Sequence, residues 1–94
     1  MTTDSAEVQA PAKFKLIISY NSIDKHLEVE RHEIVDNVLK RSTELFGITT
    51  QPHTFSLYRE DGNKVEERET VAQAHLHPEQ VLFLRPDAVK GGAA

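Results

Sequence analysis

The sequence predicts an α+β fold in which one helix packs on a mixed sheet of four to five strands. Two segments with alternating apolar residues come first, one segment with helical spacing follows, and an apolar strand closes the region. A chain of 94 residues is long enough for one small domain and too short for two. We therefore expect a two-layer domain that needs no metal and no disulfide to close its core.

The first two strands are predicted to form a hairpin. From Phe14 to Tyr20, apolar residues alternate with other residues, which is typical of a strand with one buried face. Residues 21–24 supply turn-forming side chains. Leu27 and Val29 then alternate with charged residues in the second strand.

A helix is predicted after Arg31, where the apolar spacing changes. The residues that share its apolar face are Val35, Val38, Leu39 and Phe46, with Ile34 and Leu45 at the margin. Gly47 stands where a left-handed residue ends a helix. His32 and Glu33 are mediocre capping residues, so the start of the helix is the least defined boundary.

The second half of the domain is predicted to contain short strands. Residues 54–58 return to a period of two, residues 60–63 form a turn, and a short strand follows around Val65. Residues 70–77 are expected to hold a brief helical turn. Residues 81–85 are rich enough in apolar side chains to form a strand in the interior of the sheet.

The composition of the two ends differs from that of the body. Residues 1–12 have no aromatic, Leu or Ile side chain, so we expect a disordered leader. Residues 13–85 form the predicted domain. Residues 86–94 contain two adjacent glycines and no large apolar group, which predicts a flexible tail.

Charge and composition exclude several classes of function. The chain has 11 Lys and Arg against 15 Asp and Glu, a net charge of -4, so the sequence does not predict the basic surface that binds nucleic acid. The longest apolar run, residues 81–84, cannot span a bilayer. The absence of cysteine excludes disulfides and thiolate sites, and it favours a reducing compartment, so we expect a cytoplasmic protein.

No arrangement of residues predicts catalysis or metal binding. His75 and His77 lie close in sequence, but a metal site needs three or four converging ligands and nothing completes this pair. The serines occur without a nucleophile-elbow motif. We expect a protein that is not an enzyme and that holds no cofactor and no metal.

The order of elements resembles that of ubiquitin. Residues 27–38 resemble its second strand and the start of its helix, and the turn at Asp61 and Gly62, residues 67–71 and the closing strand follow in the same order. The pair Gly91 and Gly92 stands where the terminal glycines of ubiquitin stand. The resemblance implies the ubiquitin-like β-grasp fold. The leader and the residues after the glycines are most similar to bacterial ubiquitin-like proteins encoded with their own activating enzyme, conjugating enzyme and peptidase.

The resemblance implies a protein modifier that acts through Gly92. In that family the glycine carboxylate is adenylated with ATP by an activating enzyme, passed to a cysteine of a conjugating enzyme, and joined to an amine of a target protein. Because Ala93 follows Gly92, a processing peptidase would first cut between them. Gly91 and Gly92 have no Cβ, which suits passage through a narrow channel. An extended tail from Arg85 to Gly92 would reach roughly 25 Å.

Two other functions remain open. Whichever function applies, we expect the protein to be a monomer. Arg85 stands at one position of the apolar patch that readers of ubiquitin bind, and Tyr58 is the candidate for its centre. The protein could therefore be a non-covalent interaction module that binds partners through Tyr58 and Arg85. A sulfur carrier, in which the terminal glycine becomes a thiocarboxylate, is the third reading. Ala93, Ala94 and the leader count against it.

Overall fold

The computed structural model describes residues 12–87. The elements in chain order are β1 (Lys13–Tyr20), β2 (Ile23–Glu30), α1 (Val35–Leu45), a 3-10 turn (Pro52–Thr54), β3 (Phe55–Tyr58) and β4 (Val81–Pro86). The strands form one sheet in the order β2-β1-β4-β3. The predicted fold class is confirmed: one helix lies on a mixed sheet, which has four strands within the described residues.

The sheet is mixed because β1 and β4 run parallel at its centre, while each outer pair is antiparallel. The predicted position of the closing strand in the interior of the sheet is therefore confirmed. The predicted hairpin is also present, with Tyr20 paired to Ile23. Asn21 and Ser22 between them have φ angles of 52° and 67°, the left-handed conformation of tight hairpin turns.

The helix begins without a side-chain cap. Ile34 is its N-cap residue and makes no side-chain hydrogen bond to the helix. Instead, the backbone N–H groups of Val35 and Asp36 donate to the carbonyl oxygens of Glu69 and Glu67, at 2.8 and 3.0 Å. A distant loop thus satisfies the donors that a capping side chain would otherwise satisfy.

Gly47 ends the helix as predicted. It has φ +67°, and its N–H donates to the Glu44 carbonyl at 3.0 Å. The N–H of Ile48 donates to the Thr43 carbonyl at 2.9 Å. These two bonds form the Schellman motif, which needs a left-handed residue at the position of Gly47.

Two local predictions need correction. Thr54 belongs to the 3-10 turn, so β3 begins at Phe55. The strand predicted around Val65 is only an isolated bridge between Tyr58 and Lys64. Two backbone bonds form it, from the N–H of Val65 to the Leu57 carbonyl and from the N–H of Arg59 to the Asn63 carbonyl. The brief helical turn predicted in residues 70–77 is present: the N–H of Ala74 donates to the Thr70 carbonyl, four residues earlier, at 2.9 Å.

The core lies between α1 and the inner face of the sheet. Its buried apolar residues are Phe14, Leu16, Ile18, Leu27, Val29, Val35, Val38, Leu39, Phe55, Leu57, Val65, Val71, Ala74, Leu76, Leu82 and Leu84. The other face of the sheet carries the half-buried side chains of Ile17, Tyr58, Val81 and Phe83, which no other element described in residues 12–87 covers. No helix within that range is long and apolar enough to cross a membrane.

Candidate functional site

The residues predicted to carry the chemistry, Gly91, Gly92 and Ala93, lie outside the described residues. The described part of the chain nearest to them in sequence is the end of β4. Pro86 pairs with Phe55 at the start of β3, and the N–H of Asp87 donates to the Thr54 carbonyl at 2.8 Å. The chain therefore leaves the domain alongside the start of β3.

The side chain of Asp87 is held inside the domain. It is only 4% exposed, and its Oδ2 accepts hydrogen bonds from Lys64 Nζ at 2.7 Å and from Ser56 Oγ at 3.0 Å. Ser56 Oγ also lies 3.0 Å from Glu67 Oε2. A hydroxyl has one hydrogen, so Ser56 donates to one carboxylate at a time. We call Ser56, Lys64, Glu67 and Asp87 the exit clasp.

Lys64 supplies the positive charge of the exit clasp. The hydrogen bond to Asp87 raises the pKa of Lys64 above its ordinary value of 10.5, against a smaller opposing effect of desolvation. Nearly half of the Lys64 side chain is exposed, so water screens this charge on one side. The ammonium form is therefore favoured, and it balances the buried Asp87 carboxylate.

The sequence does not predict the exit clasp, because the composition of residues 86–94 is that of a flexible tail and Asp87 lies among them. The ordered structure extends past the predicted boundary at Arg85, because β4 ends at Pro86 and Asp87 is buried. The division into leader, domain and tail otherwise stays a prediction, since residues 1–11 and 88–94 are not described. Local sequence carries no signal of the clasp, because Lys64 and Ser56 meet Asp87 only through the tertiary fold.

The two predicted partner-binding residues, Tyr58 and Arg85, meet on the outer face of the sheet. The Arg85 guanidinium carbon lies 4.8 Å from the centre of the Tyr58 ring and 5.8 Å from that of Phe83. Tyr58 and Phe83 are paired across β3 and β4. Both distances are within the range of cation–π attraction, so the rings stabilise the guanidinium at this place. We call Tyr58, Phe83 and Arg85 the outer-face cluster; Phe83 is the member that sequence reasoning missed.

The histidines considered for a metal site, His75 and His77, belong to neither cluster. His75 and His77 are exposed, and His75 has φ +59° in a turn. Within residues 12–87, no three His, Asp or Glu side chains come together in a way that could hold a metal ion.

Comparison with known proteins identifies the fold. The sequence matches no protein-family model and no curated protein. Among solved structures, it is similar to a protein designed de novo on the basis of ubiquitin, with a TM-score of 0.70, 17% identity, and coverage of 82% of this chain and 92% of the designed chain. The fold is ubiquitin-like. At this level of identity, the likeness shows the fold of the chain and nothing about its activity.

Within the ubiquitin-like fold, the two clusters occupy different places. The exit clasp lies where the closing strand ends, directly before the residues that lead to Gly92. The outer-face cluster lies on the uncovered side of the same closing strand. The strand β4 therefore connects both predicted functional regions, the tail and the sheet surface.

Proposed function

We propose that the protein is a ubiquitin-like modifier, cut after Gly92 and joined through the Gly92 carboxylate to amines of target proteins. The observation that carries the proposal is the combination of the ubiquitin-like fold with a glycine pair just beyond its closing strand. The structure provides the anchoring point of that segment, since Asp87 is buried and bonded on both its backbone and its side chain.

The exit clasp shortens the segment that can enter a partner enzyme. With Asp87 fixed, five residues lead to Gly92, and in extended form they span about 17 Å. This is shorter than the reach counted from Arg85, yet still long enough to enter a narrow channel while the domain stays outside. Gly91 and Gly92, which lack Cβ atoms, suit the last part of that path.

The chemistry assigns the remaining tasks to partner proteins. A peptidase hydrolyses the bond between Gly92 and Ala93. An activating enzyme then joins the carboxylate to the AMP part of ATP, and pyrophosphate leaves. Because this chain has no cysteine, a cysteine of the activating enzyme supplies the sulfur that displaces AMP and forms a thioester. A cysteine of the conjugating enzyme then attacks this thioester and releases the first thiol. A target amine finally displaces that sulfur and forms an amide. We place this reaction sequence in the cytoplasm.

The test follows the mass of the protein through these steps. Incubation with the cognate peptidase should remove the mass of two alanines, and ATP with the cognate activating enzyme should then give an adenylate or thioester. The matched control is a chain made to end at Gly91, which should not be activated. Normal conjugation of a Gly92→Ala variant would overturn the proposal. A thiocarboxylate on the processed protein would instead indicate a sulfur carrier.

The second candidate is a non-covalent interaction module, and the outer-face cluster favours it. Two aromatic rings under an exposed guanidinium form a surface of the composition found at protein interfaces. For such a module, deletion of residues 91–94 leaves partner binding intact, whereas Tyr58→Ala weakens it. The modifier requires the opposite result for the deletion, namely loss of function. Ile23→Ala, an exposed change on the edge strand β2, is the control for both functions.

A further inference from the structure

An open groove separates α1 from the 3-10 turn. Its volume is about 590 Å³. Its apolar part is formed by Leu39, Ile48 and Pro52. Leu39 is almost fully buried, while Ile48 and Pro52 keep partial exposure, so a small apolar side chain could still bury surface here. We call this the helix groove.

The rim of the helix groove is mostly acidic. Three carboxylates line it, those of Asp36, Glu44 and Glu67, together with the Lys40 ammonium group and the His53 ring. Lys40 is already paired with Asp36 at 3.6 Å. The Glu44 carboxylate has no hydrogen-bond or ion-pair partner among residues 12–87. The rim can therefore accept one more cation.

The chain leaves the domain beside this groove. Asp87 is bonded through its N–H to Thr54, the residue that directly follows the groove-lining His53. On the other side, Asp87 shares the Ser56 hydroxyl with Glu67, which also lines the groove. The last described residue, Asp87, therefore contacts residues that are adjacent to the groove wall or bonded to it.

The residues that follow match the groove in chemistry. After Asp87, Val89 is the largest apolar side chain and Lys90 is the sole charged one. An extended chain places Val89 about 7 Å and Lys90 about 10 Å beyond Asp87. The N-terminal segment is a poorer match, because residues 1–11 carry two acidic residues and no Lys or Arg. Moreover, residues 1–11 precede the start of β1, whereas the tail follows the end of β4. Because β1 and β4 run parallel, these two points lie at opposite ends of the sheet.

We propose that the helix groove binds Val89 and Lys90 of the same chain, with Val89 against Leu39 and Ile48 and Lys90 at Glu44. The contact is an intramolecular docking site, and it goes beyond the proposed conjugation. If that proposed function also holds, the docked tail keeps Gly91 and Gly92 close to the domain, and an enzyme must release them before it acts.

Tethering makes even a weak contact of this kind effective. A short linker gives its two ends an effective concentration in the millimolar range, so a contact with a dissociation constant of about 1 mM is formed about half of the time. The same peptide segment added as a separate molecule would have to reach a similar concentration.

The test uses the full chain labelled with ¹⁵N. A substitution is made on one side of the proposed contact, and the NMR signals of the other side are measured. A Lys90→Gln change should move the amide signals of Leu39, Thr43 and Ile48 at least halfway towards their positions in a chain that ends at Asp87. A Glu44→Gln change should increase the fast motion of Gly91 and Gly92, measured by heteronuclear relaxation. High salt should have the same effect, because it screens the pair.

The matched control is Lys15→Gln, which removes the same charge from an exposed site on β1. It should leave the groove signals unchanged. If Lys90→Gln and Lys15→Gln behave alike, and if Glu44→Gln does not affect the tail, the proposal is overturned. Groove signals that move with protein concentration would assign the groove to a second copy of the chain and would also overturn it. The outcome does not depend on any enzyme, so it is separate from the test of conjugation.

Discussion

Gly47 permits a quantitative prediction about the end of the helix. A Cβ added at this position meets no atom of the rest of the domain within 4 Å, so the replacement by alanine has no packing cost there. The remaining cost is that of holding a residue with a Cβ at φ +67°, which is about 1–2 kcal/mol. Part of it is offset, because alanine restricts the unfolded chain more than glycine does. We expect Gly47→Ala to lower the free energy of unfolding by about 1 kcal/mol.

The measurement is urea unfolding followed by circular dichroism. With a slope of about 1 kcal/mol per M, which is usual for a small domain, the midpoint should fall by about 1 M. Gly47→Asn should cost less than Gly47→Ala, since asparagine tolerates the left-handed region. Thr49→Ala, an exposed change two residues further on, is the control and should stay within about 0.5 kcal/mol. Equal losses for Ala and Asn would refute the backbone argument, as would an unchanged midpoint for Gly47→Ala.

Three further predictions concern the closing strand and its surroundings. Leu84 is 1% exposed, so Leu84→Ala should lower the free energy of unfolding by about 2–5 kcal/mol. Ile23 is 54% exposed, and Ile23→Ala should lower it by less than about 1 kcal/mol. Equal losses would contradict the position of the core. Asp87→Ala should lower the urea midpoint more than the exposed Asp24→Ala, and an equal effect would show that the exit clasp contributes nothing. Folding raises the pKa of Lys64, so on the alkaline side its contribution is complete below pH 10.5 and is lost as the pH rises through the folded value. The midpoint difference between wild type and Lys64→Gln should therefore stay constant from neutral pH to about pH 10.5 and shrink above it.

The sequence predicts well those elements whose pattern is local. A few consecutive residues are enough to recognise the alternation in β1 and β2, the single helical segment and the glycine after it. The structure confirms the hairpin, the helix that Gly47 ends, and the interior position of the closing strand. These features depend on periodicity and on the conformational freedom of one glycine.

The features that sequence reasoning missed depend on contacts between distant segments. The helix starts at Val35 because carbonyl groups of Glu67 and Glu69 accept its first N–H groups. Asp87 is buried because Lys64 and Ser56 reach it, although its neighbours in sequence are typical of a tail. No local pattern contains this information, since the partners are more than twenty residues away. Phe83 is a different case, because it lies two residues before Arg85 in the same strand. The alternation of a strand places these two side chains on one face, so the sequence did contain a local signal for Phe83.

The central pairing of β1 with β4 also determines when the domain can fold. These strands lie near the two ends of the described chain, and β4 supplies two fully buried leucines, Leu82 and Leu84. A growing chain that stops before Val81 has the hairpin and the helix without the strand that completes the sheet. Such distant pairing closes a long loop before it gains any stabilisation, which slows folding. The domain therefore completes its sheet only after β4, the last strand of the described chain, has been made and has paired with β1.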